Sequence, residues 1–442
     1  MKMNLFPSRK TLAVVGWMAA TVAVRAVTLD EAVRAALENS PTLMAAESRI
    51  LAAQGMLRQA RSGDYPMLGI SASYTRTDNP PQAFMMTLNQ RQLNMADPTF
   101  NPNEPADTDN VRGSLGAQWR IFDRQRDAAQ TQARFGVEAA GEGLAAARNQ
   151  LIYEVTRGFY GILQARSFGE VQAESIRSIE ESLRIAKERL AAGSAMRTDV
   201  LHLETQLAQA REDLIKIRNN TQWAVAALNA AIGAERVAEE TLQAPGPVSL
   251  EEPPPACTDP TAYEKRPELR AARMMRRIKE QEIKKARGGY SPTLSVMASL
   301  DADSDGTESF ESSYLVGVVA ELRIFDAGRT GGAVQAARAE MEAARAEEEQ
   351  ARLMLQLDLK QAFFGVRSAW ERLGVTRRSL ENATEAQRII REQYEQGAAD
   401  ISLLLQTQVG VTAMQTRHVA AQYDYLTALS NLKRAKGEAA QP

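Results

Sequence analysis

The chain has one cysteine, Cys257, and two histidines, His202 and His418, in 442 residues. A lone thiol leaves no disulfide and no paired-cysteine metal site. Neither histidine has a His or Cys companion at ligand spacing. Charge of one sign is not in excess: 53 Lys plus Arg face 55 Asp plus Glu, so no global field draws the chain to nucleic acid or to an acidic substrate. Beyond the first 26 residues no apolar run approaches the ~20 residues that a membrane-spanning helix needs. Ser and Asp are plentiful, yet with two poorly placed histidines no nucleophile constellation forms. Gly141 and Gly143 lie in a helical stretch without the preceding strand of a phosphate loop. The expectation is a chain without catalysis, cofactor or metal. Met67, Met85, Met86 and Met95 read as a methionine cluster near one end of the strands described below; thioethers bind Cu(I), but methionine also serves ordinary packing.

What the N-terminus does have is an address. Lys2, Arg9 and Lys10 precede an apolar run over residues 11–24 that ends in small residues, the pattern of a secretory signal peptide cleaved after Ala26. No cysteine sits near that site for a lipid anchor. A secreted chain without spanning helices is periplasmic, extracellular or a β-barrel.

The rest is written twice. Trp119-Arg120-Ile121-Phe122-Asp123 recurs as Leu322-Arg323-Ile324-Phe325-Asp326, and Phe159-Tyr160-Gly161 as Phe363-Phe364-Gly365. Gly193 answers Gly397, Val200-Leu201 answers Leu404-Leu405 and Gly233 answers Gly437, all 204 residues apart. The first copy carries an insertion of about 22 residues within the Pro- and Asn-rich stretch 79–110. The expected divisions are a signal peptide at 1–26, a first repeat at 27–244, a proline-rich linker at 245–260, a second repeat at 261–437 and a short tail at 438–442.

Each repeat holds two segments alternating with period two, as strands with unlike faces do. Leu68, Ile70, Ala72 and Tyr74 oppose Gly69, Ser71, Ser73 and Thr75; Leu115, Ala117, Trp119 and Ile121 oppose Ser114, Gly116, Gln118 and Arg120. In the second repeat the strand pair falls within 292–325. Its first strand sets Leu294, Val296, Ala298 and Leu300 against Thr293, Ser295, Ser299 and Asp301, and its second, residues 314–324, is apolar at every even position. Alternation alone fits hairpins packed on helices in a soluble α+β domain as well as transmembrane strands. In a membrane, four strands cannot close a barrel, which takes about eight or more. Two, three or four chains would share one.

After each strand pair comes a proline-free helical stretch, about 124–192 and 327–396, that would span roughly 100 Å. Each turns at a glycine and returns through a shorter helix, about 198–232 and 402–436. Apolar residues recur in alternating threes and fours, at Ile176, Ile179, Leu183, Ala186 and Leu190 outbound, then at Val200, Leu203, Leu207, Ala210, Leu214 and Ile217. His418 falls in the corresponding seam of the second return helix. This is coiled-coil periodicity. Shorter helices, 51–61 and 268–287, precede the first strand of each repeat.

In this order and spacing the chain resembles the TolC-like outer-membrane factor family. The residues that carry the likeness are Leu29-Asp30-Glu31-Ala32-Val33 before Asn39-Ser40-Pro41, Arg266-Pro267-Glu268-Leu269 opening the second copy, and the turns Ala192-Gly193 to Asp199-Val200-Leu201 and Tyr394-Glu395-Gln396-Gly397. The resemblance implies an α+β membrane protein and a homotrimer. Twelve strands would make one outer-membrane barrel in contact with lipid, continued by a helical periplasmic tunnel. It implies an exit duct for efflux or type I secretion, with Gly193, Ser194, Gly397 and Ala398 meeting a periplasmic adaptor coupled to an inner-membrane transporter of RND or ABC type. Stretch 79–110, with Phe84-Met85-Met86, Leu88-Asn89-Gln90 and Asn101-Pro102, becomes an extended extracellular loop. At the periplasmic gate Thr198, Asp199 and Tyr394 match the family's polar network, but the arginine expected to answer Asp199 falls at Ala399, and two further acidic positions fall at Leu403 and Gln406. Asp400 is the nearby acid that remains. Repeated three times it would ring the mouth and favour cations; alternatively it caps the return helix, as Asp199 would cap the other. A single-hairpin periplasmic adaptor is the rival reading of the whole chain.

Overall fold

The computed structural model describes residues 27–96, 101–234, 237–244, 259–307 and 309–438. The expected signal peptide, Cys257 and most of the proline-rich linker lie outside them. The elements run α1 (Leu29–Asn39), α2 (Pro41–Ser62), β1 (Met67–Thr77), α3 (Pro80–Asn89), β2 (Thr108–Phe122), α4 (Arg124–Ala191) and α5 (Arg197–Ile232), then α6 (Pro267–Arg287), β3 (Thr293–Ser304), β4 (Glu311–Glu321), α7 (Arg329–Glu395) and α8 (Ile401–Lys436).

The duplication sets helix lengths. α4 and α7 have 68 and 67 residues and span about 100 Å; α5 and α8 each have 36. Equivalent glycines end equivalent helices in the left-handed region, Gly193 and Gly397 at φ 75° and 76°, Gly233 and Gly437 at 81° and 73°. Long-helix starts are fixed by the repeated aspartates. Asp123 accepts the backbone N–H groups of Gln125 and Arg126, at 2.9 and 3.3 Å, and Asp326 accepts those of Gly328 and Thr330.

Apolar seams bury in three clusters along the hairpins. Val155, Phe159 and Ile162 of α4 pack with Leu228 and Ile232 of α5 and with α1. The residues 204 later, Leu359, Val366 and Leu432 among them, form the core of the second hairpin with Leu269 of α6. Near the turns Ile176, Ile179, Leu203 and Leu207 meet Tyr394, Ile401 and Leu404, so this cluster joins the two hairpins. Arg266 is buried at the head of α6. It pairs with Glu268 at 2.6 Å and with Asp358, which Arg434 also holds at 2.9 Å. Burial pushes the Asp358 carboxyl up, but Arg266 and Arg434 outweigh it and keep it below the usual carboxylate range. Its stabilisation is present above the unfolded-chain value and fades as pH falls through the folded one.

The strands form one antiparallel sheet in the order β1-β2-β3-β4. Registry decides its faces. Ile70 pairs with Leu115, Leu115 with Leu300 and Leu300 with Tyr314. The apolar half-strands therefore lie on one side, except that a bulge after Arg120 puts Phe122 instead of Ile121 opposite Leu294, and Ser71, Ser114, Asp301 and Ser313 share the other side. The apolar side is bare: Ile70 is 85% exposed and Tyr314 82%. β1 and β4 each present an unpaired edge among the described residues.

The fold departs from the sequence reading in four places. Stretch 79–110 is not loop throughout: Asn79 accepts the Gln82 N–H and Pro80-Pro81 open α3, a favourable helix start. β4 begins at Glu311 and stops at Glu321, where its partner β3 begins at Thr293. Leu322 and Ile324 therefore continue the alternation with no strand beside them. α2 starts at Pro41, ten residues before the expected 51, because proline suits the first helical position. Met67 starts β1, at the opposite end of the strand from α3 with Met85 and Met86, so Met67 does not join them in a methionine cluster.

Candidate functional site at the hairpin turns

The far ends of the hairpins lie some 100 Å of helix from the sheet. Both turns close in one way. Gly193 donates to the Leu190 carbonyl at 3.0 Å and Ser194 to that of Arg189 at 2.9 Å. In the second copy Gly397 donates to the Tyr394 carbonyl at 3.0 Å and Ala398 to that of Gln393 at 2.8 Å. A left-handed residue is what lets the chain satisfy these last carbonyls. One turn back the helices carry the same charge pattern. Arg184 bridges Glu181 and Glu188, and Arg388, 204 later, bridges Glu385 and Glu392, at 2.6 to 2.7 Å.

The expected gate residues separate into two groups. Tyr394 is brought between the hairpins and is 5% exposed. The Arg189 guanidinium of α4 lies over its ring at 4.9 Å and donates to the Glu395 carbonyl at 2.6 Å. Asp400 is exposed and caps α8, accepting the Leu403 N–H at 2.8 Å. Thr198 is exposed in the first turn of α5. Asp199 is not the cap expected of it. It lies inside that turn and accepts the Met196 N–H at 3.3 Å, because the cap position equivalent to Asp400 is Met196. Among the described residues neither aspartate makes an ion pair; Ala399, where the resemblance implies an arginine, packs against the joint core.

Further cross-hairpin bonds lie along α4. Arg391 donates to Ser178 Oγ at 2.8 Å, Gln408 to the Ser175 carbonyl at 3.3 Å and Thr412 to Ser175 Oγ at 3.2 Å. A groove between the hairpins is lined by Arg177, Ser178, Glu181, Ile185, Arg391 and Tyr394. Arg189 and Arg391 were missed in the sequence. A signal existed: Arg189-Leu190 faces Gln393-Tyr394 in the repeat alignment, and the contact is made where the two copies differ.

No group of three or more His, Cys, Asp or Glu able to hold a metal occurs among the described residues. His418 is half-buried between Thr376 and Gln422. Burial, then Arg377, hold its pKa below the ordinary value. No described helix is long and apolar enough to cross a membrane.

Residues 32–234 and 260–438 match the model of the family described as outer membrane efflux protein. Protein CyaE of Bordetella pertussis is 26% identical over 421 residues, 93% of this chain and 84% of that one. The pyoverdine export outer membrane protein OpmQ of Pseudomonas aeruginosa is 24% identical over 413 residues, covering 92% and 85%. Among solved structures the Campylobacter jejuni CmeC outer membrane channel superposes with a TM-score of 0.81 at 16% identity, covering 99% of this chain and 94% of that one.

Proposed function

Because the chain belongs to the outer membrane efflux protein family, we propose that three copies of it build one exit duct, with a shared barrel in the outer membrane and a helical tunnel below. It is an outer-membrane transport channel. The observation that carries the shared-barrel reading is the sheet, since a bare apolar face suits lipid and two unpaired edges cannot stay open in a bilayer; the number three is what the resemblance implies. Three four-stranded sheets, each joining its β4 to the next β1, leave no edge. The helices ask for the same neighbours, since Leu353, Leu357, Phe364, Val375 and Ile389 form an uncovered stripe on one side of α7. A periplasmic adaptor would leave the duplicated strands and their bare face without a purpose.

The hairpin turns then lie at the periplasmic end, where Gly193, Ser194, Gly397 and Ala398 offer an adaptor two similarly built turns per chain. That adaptor couples the duct to an inner-membrane transporter. Substrate passes without chemistry. Arg189 holds the two hairpins of one chain together through Tyr394 and the Glu395 carbonyl and so favours the narrow mouth. Asp400, once in each copy, sets a carboxylate around that mouth in addition to capping α8, while Thr198 and Asp199 order the start of α5.

Recordings from the purified protein in planar bilayers test this. Wild type should form small, cation-selective pores. Arg189→Ala removes a charge-assisted hydrogen bond and a cation–π contact, together about 2–4 kcal/mol, and should raise the open population by tenfold or more. Asp400→Asn keeps the cap, since Asn serves there as well as Asp, and should lose cation preference. Absence of pores overturns the duct; unchanged conductance or selectivity removes Arg189 or Asp400, respectively, from the gate.

A further inference from the structure

At the opposite end of the molecule α3 lies folded across the sheet. Its contacts are with β2 and with β4, so it crosses β3. Ten residues of helix measure about 15 Å, enough to cover the ~10 Å of the two strand spacings from β2 to β4. The face it covers is the polar one. Gln90 donates to Asn110 Oδ1 at 2.9 Å and to the Asp109 carbonyl at 2.7 Å. Asn110 and Arg112 in turn donate to Asp303 Oδ1, at 2.7 and 2.8 Å. Beyond α3, Arg91 pairs with Glu311 at 3.3 Å and Gln92 donates to Asp305 at 2.8 Å. The Thr307 and Gln92 hydrogen bonds hold the Asp305 carboxyl down, to about 2.

Two features mark this as a built docking. Asp303 belongs to the side of the sheet that water should wash, yet it is 1% exposed. The C-terminus of α3 closes as the hairpin turns do, with Arg91 donating to the Leu88 carbonyl and Gln92 to that of Thr87. Where those turns use glycine, α3 places Arg91 at φ 55°. A side chain in the left-handed region is costly, and here it is the side chain that reaches Glu311. Ala83 and Gln90 are buried against the sheet, and the other side of α3 exposes Met85 and Leu88.

We propose that α3 is a lid at the outer mouth of the duct, turned inward over the channel-facing side of the sheet and latched by Gln90, Arg91 and Gln92. This rests on the barrel reading, which makes the polar face the channel wall. Three copies bring Met85 and Leu88 toward the axis, an apolar collar that narrows the mouth and resists wetting. The duct thus carries a constriction at each end, and the outer one is closed by polar contacts within a single chain.

The test uses intact cells and full-length protein in which Cys257 is replaced by serine and Ser71, on the channel-facing side of β1, by cysteine. A small charged methanethiosulfonate added outside should label Ser71→Cys, and a bulky maleimide-polyethylene glycol should not. Gln90→Ala with Arg91→Ala and Gln92→Ala removes at least three hydrogen bonds or ion pairs and should speed bulky labelling at least about tenfold. Replacing residues 80–89 by a Gly-Ser segment of equal length should do the same. Equal bulky labelling with and without the latch, in protein that still migrates as trimer and accepts the small reagent, overturns the lid alone. Failure of the small reagent, with no trimer, overturns the barrel and the lid together.

Discussion

Arginine in place of Ile70 is expected to keep the chain out of the outer membrane, while arginine at the adjacent Ser71 is expected to be tolerated. The residues differ by one step in β1 and so by face. Ile70 shares its layer with Leu115, Leu300 and Tyr314 on the bare side, and Leu115 is the middle residue of β2. Arginine on the lipid face near mid-depth costs roughly 2–4 kcal/mol, and a shared barrel meets it three times, for roughly 6–12 kcal/mol per assembly. Arginine at Ser71 enters a wall that already holds Arg112 and Asp301. Outer-membrane fractionation and the heat-sensitive trimer band on gels would check this. Equal recovery of the two variants would contradict the assignment of faces.

The second large effect is expected at a glycine far from both mouths. Gly233 ends α5 at φ 81°, and a Cβ there would lie 2.5 Å from the Asn39 carbonyl oxygen and 2.9 Å from Pro41 Cδ. Neither neighbour can yield, one being backbone and the other a locked ring. Gly233→Ala combines a left-handed penalty of about 1–2 kcal/mol with overpacking of about 1–3 kcal/mol. Gly193→Ala at φ 75° meets nothing within 4 Å and should cost the first amount alone. Thermal unfolding followed by helical signal should show the larger drop for Gly233→Ala; equal drops would mean that the α1–α2 junction does not press on Gly233.

Much of this was readable in the sequence because the chain repeats itself. The 204-residue offset located both turn glycines and the paired cores, and period-two alternation assigned the sheet faces before their register was known. What was not readable has physical causes. Pro80-Pro81 signals a helix start as well as a loop, and only the Asn79 cap distinguishes them. β4 stops because its partner does, which no single-strand pattern reveals. The Arg189 contact with Tyr394 depends on two hairpins meeting, and the alignment of the copies pointed to it only as a mismatch. Asp199 does not cap α5 because the offset that relates the two copies aligns Asp400 with Met196, three residues before it.

The central claim is that no single chain closes this barrel and that three together do. In a Cys257→Ser background, cysteines replacing Ser73 on β1 and Ser313 on β4 would be joined in outer membranes by a bis-maleimide long enough to bridge neighbouring strands. The account predicts covalent products of two and three chains, ending at three. A pattern confined to single chains, stopping at two or extending beyond three, would contradict it.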